Sequence, residues 1–527
     1  MRQKVHSYIY LIGLMLVAFF MPLSLFVTNA SILMIITNWF IECNYMEKWH
    51  RLKENKTALI FCAIFLVHII WLVNTSNYAY AANDIRVKLP LLALPLALAT
   101  SRPLTPRKLH IILLSFISGV FVASLLGLSA KLFGNSLNFR ALALFVSNIR
   151  LSLMLCFSAF ILAYFAFKKI FFTRKTSWIA ILVALWLLIF MSMIQSMTGY
   201  ACFIITLVVV LTIVGIKSKK QTYKWICLTS ALIIPLSICG IIAYFVQDFY
   251  SPTCENIQLE KTAAGIPYDD VKSDGTIENG NTVWMNVCKS ELTSAWSERS
   301  TIPLDSLDNR GQCLYSTLVR YMTSRGLTKD AAGVSQLSDA DVLNIENGET
   351  NYRFVGHGGI IARIYVIIWE FDVYNKLGDC NGHSATQRIE YQKYGWKLAM
   401  QNVFTGTGEG DVNDEYQALY EELDSHLQIE NRHRAHNQFL TFFIAFGIFG
   451  LLICLFAWFY PAIKGWTIAD YYFGIFFLIA TISMFSDDTL ETSTGAVFVA
   501  FFYSLLKWTK KTKNENYDQR RLHETGD

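Results

Sequence analysis

The sequence predicts an all-α polytopic membrane protein with about twelve transmembrane helices and one large, mainly helical loop domain. Of its 527 residues, 54% are hydrophobic and only 16% are charged, whereas soluble domains average about 25% charged residues. The mean hydropathy is +0.37. This composition excludes a disordered chain, a collagen-like chain and a typical cytosolic enzyme. Nucleic acid is an unexpected partner, because no basic stretch is interleaved with aromatic residues outside the membrane flanks.

Twelve apolar runs approach the length of about 20 residues that a membrane-spanning helix needs. They lie at 7–27, 30–43, 58–74, 87–100, 109–130, 151–167, 177–195, 199–216, 225–247, 437–459, 468–485 and 494–507. The runs 30–43, 87–100 and 494–507 are short, so re-entrant or interfacial segments are the alternative there. A cleaved signal peptide is the alternative for the first run, but no small-x-small site separates it from the second, which favours a retained anchor.

The distribution of lysine and arginine indicates the orientation of these runs. Placing the N-terminus inside puts the basic clusters of five alternate segments in the cytoplasm, at residues 48–56, 102–108, 168–175, 217–224 and 510–521, as the positive-inside rule requires. We therefore expect helices 1–9 within residues 1–247, a periplasmic loop domain at 248–435, helices 10–12 within 436–507, and a cytoplasmic tail at 508–527.

The long outer segment is the one stretch that could fold as a polar domain. Helical patterning predicts helices at 314–326, 338–346, 358–377 and 385–403. The segment carries four of the eleven cysteines, Cys254, Cys288, Cys313 and Cys380. In an oxidising compartment they permit two disulfides in three pairings, which we expect over four free thiols. No cysteine or histidine cluster has zinc spacing, so we expect neither a metal nor a cofactor.

The segment that carries most of the predicted chemistry is Arg432-His-Arg434-Ala-His436-Asn437, at the outer mouth of the tenth span. Basic residues should be scarce at this face, so an anion-binding site is the favoured interpretation, since guanidinium matches phosphate in a bidentate way. Snorkelling, or pairing with Glu421, Glu422 and Asp424, is the alternative for either arginine. The imidazole of His436 can accept a proton from a hydroxyl near neutral pH, although a lone histidine is more often structural.

These residues resemble a known family. His436-Asn437, nine residues, then Gly447-Ile-Phe-Gly450 is similar to the signature of bacterial O-antigen ligases. Two further blocks resemble the companion motifs of that superfamily. One is residues 382–391, which include Arg388, and the other is Gly406-Thr-Gly-Glu-Gly410. O-antigen polymerases and protein O-oligosaccharyltransferases belong to the same superfamily.

The resemblance implies a glycosyltransferase of the C type in the bacterial inner membrane, with its active site facing the periplasm. It implies metal-independent transfer of a glycan from undecaprenyl pyrophosphate to a hydroxyl, which in the ligases belongs to lipid A–core. His436 would activate the acceptor and Arg388 would hold the pyrophosphate. We assign Arg432, Arg434 and Asn437 to substrate binding as well. A polymerase or a protein glycosyltransferase is the first alternative.

The chain departs from the family where an arginine is usual in a mid-chain span, because Met197 stands there. Arg150, at the outer edge of the sixth span, is a candidate substitute, and an interfacial snorkelling arginine is its alternative. We interpret Gly447 and Gly450 as helix-packing residues, and Asp487, Asp488 and Glu491 as a solvated loop rather than partners of His436.

Two other function classes remain as alternatives. A secondary transporter would suit twelve spans, but the spans are nearly free of ionisable residues, His68 is taken as structural, and no inverted repeat is evident. A non-catalytic assembly factor would leave the arginine and histidine cluster without a task.

Overall fold

A computed structural model describes residues 2–133, 142–252, 257–270, 274–355 and 360–509. Of these described residues, 73% are helical. Within the described ranges the strands are β1 (Ile277–Glu278) and β2 (Asn281–Thr282), which pair as a two-residue antiparallel hairpin. The predicted all-α polytopic membrane fold is therefore confirmed.

Every one of the twelve predicted runs is helical. The first nine correspond to α1 (Arg2–Phe20), α2 (Leu25–Ile41), α4 (Lys56–Ile70), α6 (Pro90–Thr100), α7 (Pro106–Phe133), α8 (Asn148–Lys168), α9 (Ser177–Ile194), α10 (Met197–Lys217) and α11 (Gln221–Tyr250). The last three are α19 (Gln438–Ile463), α20 (Tyr471–Ser486) and α21 (Ser493–Trp508). Two short helices that the apolar runs did not predict, α3 (Tyr45–Glu54) and α5 (Tyr78–Lys88), precede α4 and α6.

Length decides how many of these helices can cross a bilayer. In the described residues eight helices are long and apolar enough, or nine if α2 and α3, which meet at a bend of 114°, form one broken span. α20 and α21 are shorter apolar helices. α6 has 11 residues, which at about 1.5 Å per residue falls well short of a bilayer core of about 30 Å. The chain is a multi-pass membrane protein, and the count of twelve spans stays a prediction.

The described chain divides into two compact units, of which the first comprises residues 1–209, 391–425 and 432–527. In it α1 packs on α2 and α7, α8 on α9, α19 on α4, and α21 on α6. Its centre is aromatic: Phe502 of α21 lies 4.7 Å from Phe116 of α7 and 5.1 Å from Phe157 of α8 between ring centroids. Both contacts are edge-on, which is the favoured geometry for rings and adds to the packing that holds membrane helices together.

α19 is broken at Gly447, where φ is 63° and ψ is −171°. The break frees the carbonyls of Ile444 and Ala445, which accept hydrogen bonds from the N–H groups of Thr407 and Gly408 at 2.8 and 3.0 Å. Polar backbone at membrane depth must be satisfied within the protein, so the loop replaces the bonds that the helix loses. Gly447 was expected to let two helices approach closely; instead it breaks α19 and approaches the chain that follows α17, since a Cβ there would lie 2.3 Å from the Phe404 carbonyl oxygen.

The loop from Gly406 to Asp411 lies between the backbone of α19 and the backbone of residues 74–77, and its glycines permit this close approach. A Cβ at Gly406, Gly408 or Gly410 would lie 2.4, 2.0 and 2.2 Å from the carbonyl oxygens of Ala445, Asn74 and Asn77, respectively. The Asp411 carboxylate accepts from the N–H groups of Ser76 and Asn77, both at 2.7 Å. This clamp directs the one long side chain of the loop, that of Glu409, into the interior of the first unit, where it is 2% exposed.

The second unit comprises residues 210–390 and 426–431. It contains α12 (Lys289–Ser297), α13 (Leu314–Ser324), α14 (Ala331–Ser335), α15 (Asp339–Glu346) and α16 (Ile360–Leu377), and the first turns of α17 (Ser384–Gln401). Trp296, Leu318 and Ile345 are among the fully buried residues of its core. The four helices predicted in the outer segment are confirmed as α13, α15, α16 and α17. The short α12 and α14, and α18 (Val412–Glu422) of the first unit, were not predicted.

The expectation of two disulfides is wrong. Cys288 is buried with its thiol 3.4 Å from the Ser290 hydroxyl, and Cys313 is exposed at the start of α13; both are free. Cys254 lies outside the described residues. The predicted loop boundaries at 248 and 435 concern topology across the membrane and stay a prediction, as does the cytoplasmic tail, of which residues 510–527 lie outside the described ranges.

Candidate active site

The segment from Arg432 to Asn437 leads directly into α19, and its last two residues have unusual roles. His436 has φ +47°, a conformation that costs a non-glycine residue about 1–3 kcal/mol and that occurs often at functional sites. Asn437 is the N-cap of α19, with its side-chain oxygen accepting from the N–H groups of Phe439 and Leu440 at 3.1 and 3.2 Å. Helix capping thus accounts for the asparagine, and its substrate-binding role stays a prediction.

A buried carboxylate bridges His436 to Arg150. Nδ1 of His436 lies 3.3 Å from Oδ1 of Asp487, and Oδ2 of Asp487 forms an ion pair with the Arg150 guanidinium. Arg150 also donates to the Thr492 hydroxyl at 3.2 Å and the Asp488 carbonyl at 2.9 Å. The Asp487 side chain is 4% exposed and that of His436 is 33% exposed, so the buried carboxylate orients a ring that reaches the surface.

The neighbouring aspartate fixes the backbone of the same histidine. One oxygen of Asp488 accepts from the His436 N–H at 3.2 Å, and the other accepts from the Thr441 hydroxyl at 2.8 Å. The interpretation of Asp487 and Asp488 as solvated loop residues is therefore wrong. They lie between α20 and α21, and they are buried because Arg150, His436 and Thr441 supply partners for both carboxylates.

Aromatic side chains flank the imidazole. The Tyr391 ring of α17 lies 5.6 Å from the His436 ring and 5.8 Å from the His433 ring between centroids, and the two histidine rings are 6.2 Å apart. Tyr391 is 2% exposed, so it forms a fixed wall beside the histidine.

Arg434 belongs to a buried cluster of charged side chains that the pattern of apolar runs did not predict. Its guanidinium lies 3.4 Å from Oε2 of Glu491, and the same oxygen accepts from the Lys88 ammonium at 2.7 Å. Lys88, 1% exposed, also pairs with Asp84 and lies 3.4 Å from Oε1 of Glu409. We name the six residues the charge cluster: His68, Asp84, Lys88, Glu409, Arg434 and Glu491.

His68 completes the cluster from within α4, through a bond of 2.7 Å between its Nδ1 and Oε2 of Glu409. Its Nε2 atom is buried with no hydrogen-bond partner within the described residues. The ring is packed against Phe446 at 4.8 Å between centroids. The interpretation of His68 as structural agrees with these contacts, which connect α4 to the clamped loop.

The cluster holds three carboxylates and two permanent cations. Burial raises the pKa of Asp84 to about 7 and raises the pKa of Glu409 above its usual range. Burial acts in the same sense on Glu491, but the charges of Lys88 and then Arg434 outweigh it and hold the pKa of that carboxyl below its usual range. Glu491 is therefore the ionised partner of both cations, whereas burial favours the protonated forms of Asp84 and Glu409.

One group in the described residues has ligand atoms close enough for a metal ion. His68, Asp84 and Glu409 each offer an atom within 4.8 Å of the others. The Lys88 ammonium pairs with Asp84 and lies 3.4 Å from Glu409, and it would repel a second cation. The donor set fits a metal poorly for this reason.

The other predicted residues are placed as follows. Arg432 is half-buried, with its guanidinium carbon 5.9 Å from the centroid of the Tyr420 ring. Arg388 is half-buried on α17, one turn before Tyr391, in the part of that helix that belongs to the second unit. Met197 begins α10 and is 38% exposed.

The sequence analysis named His436 and Arg434 as candidates but did not name Lys88, Asp84 or Glu409, which the structure places in the charge cluster. One available signal was that Asp84 and Lys88 are spaced i, i+4 just before an apolar run, an arrangement that suits an ion pair on a helix. Glu409 could have been suspected because it is the single charged residue among three glycines.

Comparison with known proteins adds one finding. Residues 350–455 match the family model described as O-antigen ligase. No curated protein matches the chain. The matched segment includes α17, the clamped loop, Arg432 to Asn437 and the break in α19, so this part of the chain is similar to the O-antigen ligase family.

Proposed function

We propose that this protein transfers a glycan from undecaprenyl pyrophosphate to a hydroxyl of lipid A–core at the periplasmic face of the bacterial inner membrane. The acceptor oxygen bonds to the anomeric carbon, the bond between that carbon and the pyrophosphate oxygen breaks, and the pyrophosphate departs with the bonding electrons. The hydroxyl proton passes to His436. The periplasmic orientation follows from the lysine and arginine distribution.

The observation that carries this proposal is the hydrogen bond between Nδ1 of His436 and the buried carboxylate of Asp487. A carboxylate partner requires the proton on Nδ1, which leaves the Nε2 lone pair as the basic position of the ring. After proton transfer the carboxylate stabilises the imidazolium. A strained and partly exposed histidine held in this way is suited to general base catalysis on an alcohol.

The cations near His436 support a pyrophosphate leaving group. Pyrophosphate departs readily if its developing charge is neutralised, so the protein needs fixed cations and a positioned alcohol more than covalent chemistry. Arg434 and Arg432 precede His436 by two and four residues, and we assign both to the pyrophosphate. Arg388 is assigned with them on the family resemblance. Arg150 is assigned a positioning role through Asp487, and Asn437 orients the entry into α19.

The test is lipopolysaccharide analysis in a strain that lacks the gene, complemented with wild type, His436→Ala, Arg434→Ala or Arg388→Ala. We expect wild type to restore long O-polysaccharide on lipid A–core, and each variant to leave polymerised precursor on undecaprenyl. His426→Ala is the matched control. This histidine is exposed, and its hydrogen bond from the Asn381 side chain at 2.9 Å is accepted by its backbone carbonyl, which alanine retains.

The glycan pattern separates the family alternatives. Lipid A–core carrying single-unit caps in the deletion strain would identify a polymerase instead. Unchanged lipopolysaccharide in the deletion strain would reject the lipid A–core acceptor and direct the search to glycoproteins.

A further inference from the structure

Lys88 is buried at the centre of the charge cluster, which the proposed reaction does not use directly. Its ammonium is 1% exposed and meets the carboxylates of Asp84, Glu409 and Glu491. Lysine is almost never buried unless it is paired. Because it is enclosed by three acidic side chains from three elements, its ammonium is directed toward these acids and away from a substrate.

Glu491 is shared between Lys88 and Arg434. Its Oε2 atom lies 2.7 Å from the ammonium and 3.4 Å from the guanidinium, and its Oε1 accepts from Gln438 at 2.8 Å. The shorter contact belongs to the lysine. Arg434 is therefore the weaker partner of this carboxylate, which leaves much of its charge for another anion.

The charge balance shows what the lysine prevents. Without it, Arg434 would be the one cation left on Glu491 among the described residues. A buried carboxylate that loses one partner is left with uncompensated charge, which attracts the remaining cation. A pyrophosphate would then compete with Glu491 for the guanidinium, and the cluster would be more negative by one charge close to an anionic substrate.

We propose that Lys88 is a positioning residue that occupies Glu491 and so keeps Arg434 available for the pyrophosphate of the donor. The proposal rests on the proposed function, since it requires a pyrophosphate-linked donor. It assigns a role to a residue far outside the family-matched segment, through a carboxylate 403 residues away along the chain.

The test is a double-mutant cycle on purified protein in detergent, with Lys88→Met, Glu491→Gln and the pair. The readouts are the donor KM, kcat, inhibition by inorganic pyrophosphate, and the melting temperature. We expect Lys88→Met to raise the donor KM and the pyrophosphate inhibition constant by about tenfold or more, with a smaller change in kcat. In the Glu491→Gln background the same change should raise them by less than about threefold, because the competing carboxylate is gone.

The double variant has the same net charge as the wild type, so it keeps the test usable if Lys88→Met alone fails to fold. Its values are then compared with those of Glu491→Gln. The matched control is Lys376→Met, which removes an i, i+4 lysine–aspartate pair like that of Lys88 and Asp84, but in the second unit. We expect no change in KM for this variant.

The outcomes separate the two proposals. An unchanged donor KM in folded Lys88→Met, or an equal rise in both backgrounds, would overturn the role of Lys88 and leave the proposed function standing. A wild-type protein that neither transfers glycan from undecaprenyl pyrophosphate nor binds inorganic pyrophosphate would overturn the proposed function itself.

Discussion

Replacing Asp487 with asparagine tests the assignment of His436 as the general base. Asparagine keeps the size of the side chain but removes the charge that holds Nδ1 at 3.3 Å and pairs with Arg150. A hydrogen bond to a charged group contributes about 1.5–3 kcal/mol. If this bond is strongest when the imidazolium forms, kcat should fall by about 10- to 150-fold, since about 1.4 kcal/mol corresponds to a factor of ten.

The assay is steady-state transfer from a synthetic undecaprenyl pyrophosphate glycan to lipid A–core, from which kcat and the donor KM are obtained separately. The donor KM should change little, because Asp487 touches the base and not the pyrophosphate. Asp488→Asn is the matched control: it removes an equal charge from the next residue, which contacts the His436 backbone and Thr441 rather than the ring.

Stability must be separated from catalysis in this experiment. Leaving Arg150 buried without its carboxylate would cost about 3–5 kcal/mol of folding free energy. The pair Arg150→Met with Asp487→Asn removes both charges and should recover the melting temperature but not kcat. If Asp487→Asn keeps kcat within about twofold of wild type while folded, His436 is not oriented as a base by this carboxylate, and the reasoning is refuted.

Three further predictions concern the elements around the site. Gly447→Ala should lower the melting temperature far more than Gly465→Ala. Gly465 has a similar positive φ, but an added Cβ would have no atom within 4 Å, so this control should lose only about 1–2 kcal/mol of unfolding free energy. Equal losses would contradict the close approach of the Phe404 carbonyl to Gly447. Asn437→Ala should cost about 1 kcal/mol of unfolding free energy whereas Asn437→Asp preserves the cap, and loss of transfer in folded Asn437→Asp would reveal a substrate contact instead. Burial raises the pKa of Asp84 to about 7, so its contribution to stability is full below its unfolded pKa near 3.9 and is lost as the pH rises through 7. Melting temperatures should thus fall from about pH 4 to about pH 7, the interval between the unfolded and the folded pKa, in wild type and stay flatter in Asp84→Asn; equal slopes would remove Asp84 as the titrating group.

Local patterns were sufficient to predict the long apolar helices and four helices of the outer segment, but not the short helices between them. An apolar run of about 20 residues has few alternatives in a bilayer, since every backbone group must be satisfied within the segment. The segment from Arg432 to Asn437 could also be selected as a candidate site, because its cations are close together in the chain and lie where the positive-inside rule makes them unexpected.

The partners of these residues could not be predicted in the same way. Glu491 and Lys88 are 403 residues apart and Glu409 and His68 are 341 apart, and no local pattern reports such a contact. Asp487 directly follows an apolar helix, a position where charged residues are usually solvated, so its sequence context gave no sign of burial. Only the packing of α8 beside α20 brings Arg150 to it and makes its burial tolerable.

The break in α19 brings residues that local patterns predicted together with their partners from distant parts of the chain. Gly447 ends the helical hydrogen bonding at the depth where the loop 405–411 must dock, and the docked loop delivers Glu409 to Lys88 and His68. The family-matched segment therefore contains His436, Arg434 and Glu409, but not Asp487, Glu491 or Lys88, which supply their counter-charges. In a low-dielectric interior an ionised side chain is stable only with its partners in place. Substitutions at these outside positions should consequently impair transfer, although they lie outside the matched segment.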